Sequence, residues 1–486
     1  MFQNKDTNGK TYKRGPLVAT LLIGTFCTIL NQTILATAFP TLMETFHIAT
    51  TTVQWLSTGF LLVNGIMIPI TAFLIGRIPT KTLYFIAMLI FFVGTLVCYV
   101  APDFQTLLVG RLVQAVGVGV TMPMLQTIML TVYPPEKRGA SMGLAGLVIG
   151  LAPAIGPTLS GYIVDHSSWR NLFGLLLPIV FLVLVSTILF MKNVMETKKS
   201  RLDVLSIILS SLGFGGLLYG FSNVGEYGWL NQHVLGYILA GFLFLLLFSV
   251  RQLTMKTPFL NIRVFQYKTF TLSTMISSVV MVALIGAEMV LPIYLQSVRG
   301  LTAFDSGMVL LFGALLMGVM SPVTGRIFDS HGGKKLMVTG LLLLALGSLP
   351  FIFLTAKTSV LYIIFFYALR MFGISMVMMP STTSGMNALP NALITHGTAA
   401  NNTIRQVASS IGTAVLISIL TNVTKANAPL PSLKIEDPIR FGQESLQSVI
   451  QGYHASFVLA FSFACLALLM TLFLKEGSKQ SGEVMK

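Results

Sequence analysis

Charge is what this chain of 486 residues has least of. Only 10% of its residues are Asp, Glu, Lys or Arg, against about 25% in a soluble domain. Acids are scarcer than bases, 16 against 31. So few charges cannot clothe a soluble fold of this length. Cysteine is scarce too. Cys27, Cys98 and Cys465 each lie inside an apolar run and none has a CxxC partner, so neither a disulfide framework nor a cysteine metal site follows. The six histidines show no HExxH or paired ligand spacing, and no metal site is expected. Gly9, Lys10 and Thr11 repeat the end of a phosphate loop, but Asn4 stands where its first glycine belongs and no strand precedes it. Catalytic residues and an organic cofactor are therefore not expected, and an ATP-driven pump or membrane enzyme is set aside.

What the chain has is apolar runs. Hydrophobic residues make up 54%, gathered in stretches of about 20, the length that crosses ~30 Å of hydrocarbon at 1.5 Å per residue. Fourteen segments can be placed, near 16–38, 53–75, 82–101, 105–132, 140–163, 171–191, 203–222, 233–250, 270–295, 306–325, 335–354, 359–384, 398–423 and 454–474. Each must be helical, because hydrocarbon offers no partner to a bare backbone. The first carries Asn31, Gln32 and Thr33 and has no small-residue cleavage site, so it reads as a permanent span and not a signal peptide. The net charge of +15 is spread over short loops and not gathered into a stripe, which argues against a nucleic-acid partner. With the amino terminus inside, 22 basic residues fall on inner segments, 6 on outer ones and 3 within helices. That bias places both termini in the cytoplasm of a multi-pass cell-membrane protein.

The sequence repeats without gaps at an offset of 253. PITAFLIGRIPTKT (69–82) aligns with PVTGRIFDSHGGKK (322–335), pairing Pro69 with Pro322, Thr71 with Thr324 and Lys81 with Lys334. Both copies join an inward-running span to the next. The expected organisation is a cytoplasmic tail (1–15), a six-helix bundle (16–191), two extra helices with linkers (192–268), a second six-helix bundle (269–474) and a second tail (475–486).

The second copy, GRIFDSHGGKK (325–335), resembles the cytoplasmic loop signature of the major facilitator superfamily. Gly325 permits close helix approach, Gly332 a tight turn, Asp329 can meet a helix amino terminus or an arginine, and Lys334 and Lys335 hold the loop inside. The first copy is degraded, with Gly76 at the aspartate position and Pro79 at the second glycine. LLVGRLVQAVGVG (107–119) resembles the family's intramembrane arginine motif. AIGPTLSG, with Gly156, Pro157 and Gly161, resembles the signature of its exporter branch, although Ser160 replaces a glycine there. SSWRNLF (167–173), LPIYLQSVRG (291–300) and NTIRQVASSIGTA (402–414) are similar to the fourteen-span drug:proton antiporters, especially the lincomycin-resistance type. Many members carry an acid in the first span; this chain has Asn31, as that subfamily tends to. The resemblance, over about 15–475, implies an all-α major facilitator fold arranged 6 + 2 + 6. It also implies a bacterial, monomeric exporter of drugs or other amphipathic small molecules, driven by the proton motive force through alternating access. An exporter of an endogenous metabolite or lipid with the same fold stays open.

Of the 16 acids, Glu288 alone lies well inside a span, one to two turns from its outer end. An ionised carboxylate in hydrocarbon is costly, so such a residue faces a cavity and is a proton-coupling candidate. Arg111, Arg370 and Arg405 keep their charge at any working pH and must face the interior. Arg111 is expected to reach Asn31 and Gln32. Met122, Met124, Met376, Met378 and Met379 are candidate cavity-lining residues, since thioethers suit varied ligands.

Overall fold

The structure, a computed structural model, describes residues 6–7, 9–35, 38–197 and 203–474. The basic residues Lys198, Lys199 and Arg201 and the tail 475–486 lie outside the described residues. No strand occurs among the described residues. Fourteen helices are long and apolar enough to cross a membrane: α1 (Arg14–Thr33), α2 (Trp55–Arg77), α3 (Thr80–Val100), α4 (Phe104–Val132), α5 (Pro135–His166), α6 (Asn171–Phe190), α7 (Val204–Gly225), α8 (Gln232–Thr254), α9 (Lys268–Ser297), α10 (Phe304–His331), α11 (Lys334–Phe353), α12 (Val360–Asn387), α13 (Asn391–Ala426) and α14 (Pro438–Leu472). Fourteen crossings would bring the start of α1 and the end of α14 to one face, called here the terminal face.

Hydropathy located every span but misjudged some ends. α14 starts at Pro438, so much of the expected outer loop 424–453 is helix. Its first turns are polar: Asp437 caps by accepting from the Arg440 N–H at 3.0 Å, and Arg440 pairs with Glu444 at 2.7 Å. A hydropathy count sees only the apolar remainder. α12 is split into Val360–Ser375 and Met378–Asn387. Pro380 stands at the third position of the second piece, where its missing N–H and its ring break the ladder of the turn before it.

The 253-residue offset proves to be architectural. The Thr71 hydroxyl donates to the Gly119 carbonyl on α4 at 3.1 Å, and its counterpart Thr324 donates to the Ser375 carbonyl on α12 at 2.9 Å. Lys81 donates to the Ile188 carbonyl in the last turn of α6 at 2.5 Å, and Lys334 to the Leu472 carbonyl at the end of α14 at 2.8 Å. Both lysines answer carbonyls that a helix end leaves unpaired. The same chemistry therefore ties the second helix to the fourth, and the third to the last, in each half.

The halves meet along α5 and α10. Gly139, Gly143, Gly146 and Gly150 recur at spacings of four and three and so lie on one face of α5. A Cβ on Gly143 would come 2.5 Å from the Ser321 carbonyl oxygen and 2.8 Å from Pro322 Cα. Only a hydrogen there lets the two backbones touch. α7 packs beside the seam: Leu218 fills the space above Gly65 of α2, and Trp229, beyond its end, donates to Ser418 of α13 at 2.9 Å. α8 packs on α7, with Leu217 against Gly241 and Leu245 against Gly213, and turns most of its surface outward. The apolar exposure on α8, where Leu239, Leu243 and Leu246 are each more than half exposed, suits contact with lipid.

Candidate functional site

Two buried polar clusters occupy equivalent places in the halves. In the first, Arg111 of α4 is fully buried. Its Nη1 donates to the Asn31 carbonyl at 3.2 Å and to Gln114 Oε1 at 3.0 Å, and its Nε to the Leu56 carbonyl at 3.4 Å. The Phe60 ring lies 4.2 Å from the guanidinium carbon, near enough for a cation–π contact. Asn31 Nδ2 also donates to Gln114 Oε1, at 3.2 Å, and Gln114 Nε2 donates to Thr95 Oγ1 at 2.8 Å. The expected Arg111–Asn31 contact forms. Gln32 is half-buried and takes no recorded part in it. Gln114 is the hub and was not singled out from sequence, because a lone amide beside an arginine gives no separate signal.

In the second cluster, Arg370 of α12 is 1% exposed. Its Nε donates to Ser348 Oγ on α11 at 3.0 Å and its Nη2 to the Ala283 carbonyl on α9. Ser348 stands 253 residues after Thr95, so each half presents a hydroxyl on its third helix to a polar side chain on its fourth. Glu288 follows Ala283, the Arg370 acceptor, on α9 by five residues. No ion pair within 4.0 Å forms between Glu288 and Arg370 among the described residues. The helix runs nine residues beyond Glu288 to Ser297, about 14 Å at 1.5 Å per residue. α9 thus continues beyond the apolar stretch that places Glu288 one to two turns from the outer end of its span.

Near the terminal face the halves are bolted together. Asp329 Oδ1 accepts from the Gly139 N–H at 2.7 Å and Oδ2 from the Ala140 N–H at 2.8 Å. These are orphan donors at the start of the Arg138–His166 helix, where an anion is favoured. Arg138 donates to Asn387 Oδ1 at 3.0 Å and Asn391 Oδ1 at 3.2 Å. Farther in, Asn402 of α13 donates to Gln126 Oε1 of α4 at 2.8 Å. Gly325 lies against the Gly139 carbonyl, and Gly332 adopts φ 87°, a left-handed turn. Lys335 is exposed. In the first copy a Cβ on Gly76 would meet nothing within 4 Å.

The remaining candidates divide. Gly156 packs on Thr33 of α1, Pro157 is half-buried beside it, and Gly161 has open space around its Cα. Met379 reaches across to Gly146, Met376 packs on Gly340, and Met124 and Met378 are buried in the core, while Met122 is half-buried. Arg405 of α13 is 4% exposed, and its Nη2 approaches Met281 Sδ on α9 at 3.7 Å. No group of three or more His, Cys, Asp or Glu that could hold a metal occurs among the described residues.

Fourteen spans, two halves built by one repeat, and a ring of bonds closing them at one face are the features of a membrane transporter of small molecules, not an enzyme. The profile described as Major Facilitator Superfamily matches residues 21–413, and the chain belongs to that family. It is 48% identical to the uncharacterized MFS-type transporter YcnB of Bacillus subtilis (strain 168), over 97% of this chain and 98% of that one. It is 39% identical to the lincomycin resistance protein LmrB of Listeria innocua serovar 6a, over 98% of this chain and 100% of that one. Among solved structures, the human organic anion transporter MFSD10 superposes with a TM-score of 0.61 at 13% identity, covering 92% of this chain and 99% of that chain. The proton:xylose symporter XylE superposes with a TM-score of 0.60, also at 13% identity, over 95% and 96%. These two likenesses concern the fold.

Proposed function

We propose that this transporter exports drugs or other amphipathic small molecules in exchange for protons, by alternating access, with both termini in the cytoplasm and the single chain as the working unit. The observation that carries the reading is Glu288. It is the one carboxylate of the described residues held well inside a span, and Arg370, which donates to the Ala283 carbonyl five residues earlier on the same helix, keeps Nη1 of its buried guanidinium without an acceptor. Similarity to lincomycin resistance proteins of Listeria and Bacillus supports export and makes lincosamides the first compounds to try. The 22-to-6 placement of basic residues supports the orientation.

In this reading the structure is closed toward the cytoplasm, with Asp329, Arg138 and the Gln126–Asn402 bond holding it shut. Ionised Glu288 attracts Arg370. A proton arriving from outside cancels that attraction and leaves Arg370 to Ser348 and Ala283 alone. The change in balance across α9, α11 and α12 favours reopening on the inner side. A proton crossing 100 mV supplies ~2.3 kcal/mol, enough for a concentration ratio of about fifty for a neutral substrate. The test is export from energised inverted vesicles with lincomycin and a panel of amphipathic compounds. Accumulation that collapses with a protonophore supports the reading; accumulation insensitive to it, or none for any compound, rejects it.

A further inference from the structure

Arg405 is a buried guanidinium with no oxygen acceptor among the described residues. It lies eleven residues into the Ile394–Ala426 helix, about 16 Å from that end, and Met281 lies thirteen residues into α9, at a similar depth of about 20 Å. Arg405 thus stands about a third of the way along its helix and Met281 nearly halfway along its own, and transporters of this architecture hold their cargo near the midplane. The side chain is 4% exposed, Nε and Nη1 have no hydrogen-bond acceptor, and its one polar contact is a thioether. Arg111 and Arg370 are buried as deeply, yet each has carbonyl and side-chain acceptors. Among the described residues Arg405 forms no ion pair.

The surroundings are equally short of acceptors. Asn401, four residues and so about one turn before Arg405 on α13, accepts from Ser277 through Oδ1 and leaves Nδ2 unpartnered. Ser278, three residues before Met281 and so on the same side of α9, has an unpartnered hydroxyl. A guanidinium, an amide N–H and a hydroxyl, none with an acceptor and none a carboxylate, therefore lie within about one turn of the Ser277–Asn401 and Met281–Arg405 contacts that join α9 to α13. A buried charge of one sign is strongly unfavourable until something supplies the other, and a guanidinium fork matches a planar or tetrahedral oxyanion.

We infer that Arg405, with Asn401 and Ser278, forms a midplane recognition site for the anionic group (a carboxylate or phosphate) of an amphipathic cargo. The inference rests on the export reading for its purpose, but the site can be measured without transport. The probes are dansyl-undecanoate and its neutral methyl ester, titrated by fluorescence into the full-length protein in nanodiscs of zwitterionic lipid, corrected for empty discs. Wild type binds the carboxylate at least about tenfold more tightly than the ester. Arg405→Gln brings the two within about twofold, Arg405→Lys keeps part of the difference, and the ester binds alike to all three. Because Arg405 makes no strong bond within the protein, Arg405→Gln unfolds at a temperature no lower than wild type. Equal binding of the two probes by wild type, persistence of the difference in Arg405→Gln, or a fall in ester affinity and unfolding temperature together would overturn the inference. Displacement of the probe when phosphatidylglycerol is added to the discs would assign the site to a lipid headgroup and overturn it as a cargo site. Should the discrimination hold while vesicles export nothing, the export reading fails and the anion site stands.

Discussion

The Asp329 carboxylate grips the start of the Arg138–His166 helix, with Gly139 N–H at 2.7 Å, from the opposite half of the molecule. The second oxygen takes Ala140 N–H at 2.8 Å. Hydrogen bonds to a charged group contribute about 1.5–3 kcal/mol each. Asp329→Asn loses the charge and turns an amide donor toward one of those N–H groups. The population open at the terminal face should rise by about tenfold or more. Pulsed EPR between spin labels at 135 and 333 reads this directly, and an unchanged distance distribution would count against the bolt.

Gly143 and Gly161 make a matched pair. Leucine at 143 must displace the Ser321–Pro322 backbone, which cannot give as a side-chain tip would. Gly143→Leu should reach the membrane, fold and lose transport because α5 and α10 no longer close. Gly161→Leu meets open space and should transport nearly as wild type. Whole-cell efflux of a fluorescent substrate, normalised to membrane abundance, compares them.

Gln114 joins polar groups of three helices, bonding Arg111 on its own α4, Asn31 on α1 and Thr95 on α3. Gln114→Leu strips Asn31 Nδ2 of its acceptor and Arg111 Nη1 of one of two. Each buried donor left unsatisfied costs about 1–3 kcal/mol. The detergent-solubilised variant should unfold at a clearly lower temperature, whereas Gln32→Ala should not. Equal unfolding of both variants would remove Gln114 as the hub.

The extra helices carry their own clamp. Arg251 donates to both oxygens of Asp203 at 2.8 and 2.9 Å, and Ser206 donates to the same carboxylate. The Arg251 hydrogen bond, ahead of the Ser206 one, holds the Asp203 carboxyl below its ordinary value of 3.8. A depressed carboxyl stabilises above its unfolded value and stops doing so as pH falls through the folded one. Amide exchange near 203–206 and 251–254 should therefore be unchanged from about pH 7 to about pH 5 after correction for intrinsic rates, and rise below about pH 4. Asp203→Asn should abolish that rise.

Span number was legible because hydrocarbon leaves a chain few choices, and the 253-residue repeat because it keeps its hydrogen-bonding residues. Thr71 and Thr324, and Lys81 and Lys334, proved to be equivalents in space as well as in sequence. The Thr95–Ser348 equivalence was readable by the same offset but needs the structure to show that Gln114 and Arg370 answer it. The polar start of α14 was hidden because it stands where apolar content carries no signal. The isolation of Arg405 was hidden because a sequence shows which charges exist, not which acceptors fail to reach them. Met281, whose sulfur the Arg405 guanidinium approaches, looked like any other core methionine.

The account turns on Glu288. Proteoliposomes holding a trapped pH dye and given lincomycin, under an imposed proton gradient, report substrate-dependent proton flux. Wild type should show it, and Glu288→Gln should bind lincomycin with little change while its substrate-dependent flux falls to the level of empty vesicles. Undiminished flux from Glu288→Gln would contradict the central claim and move proton coupling elsewhere.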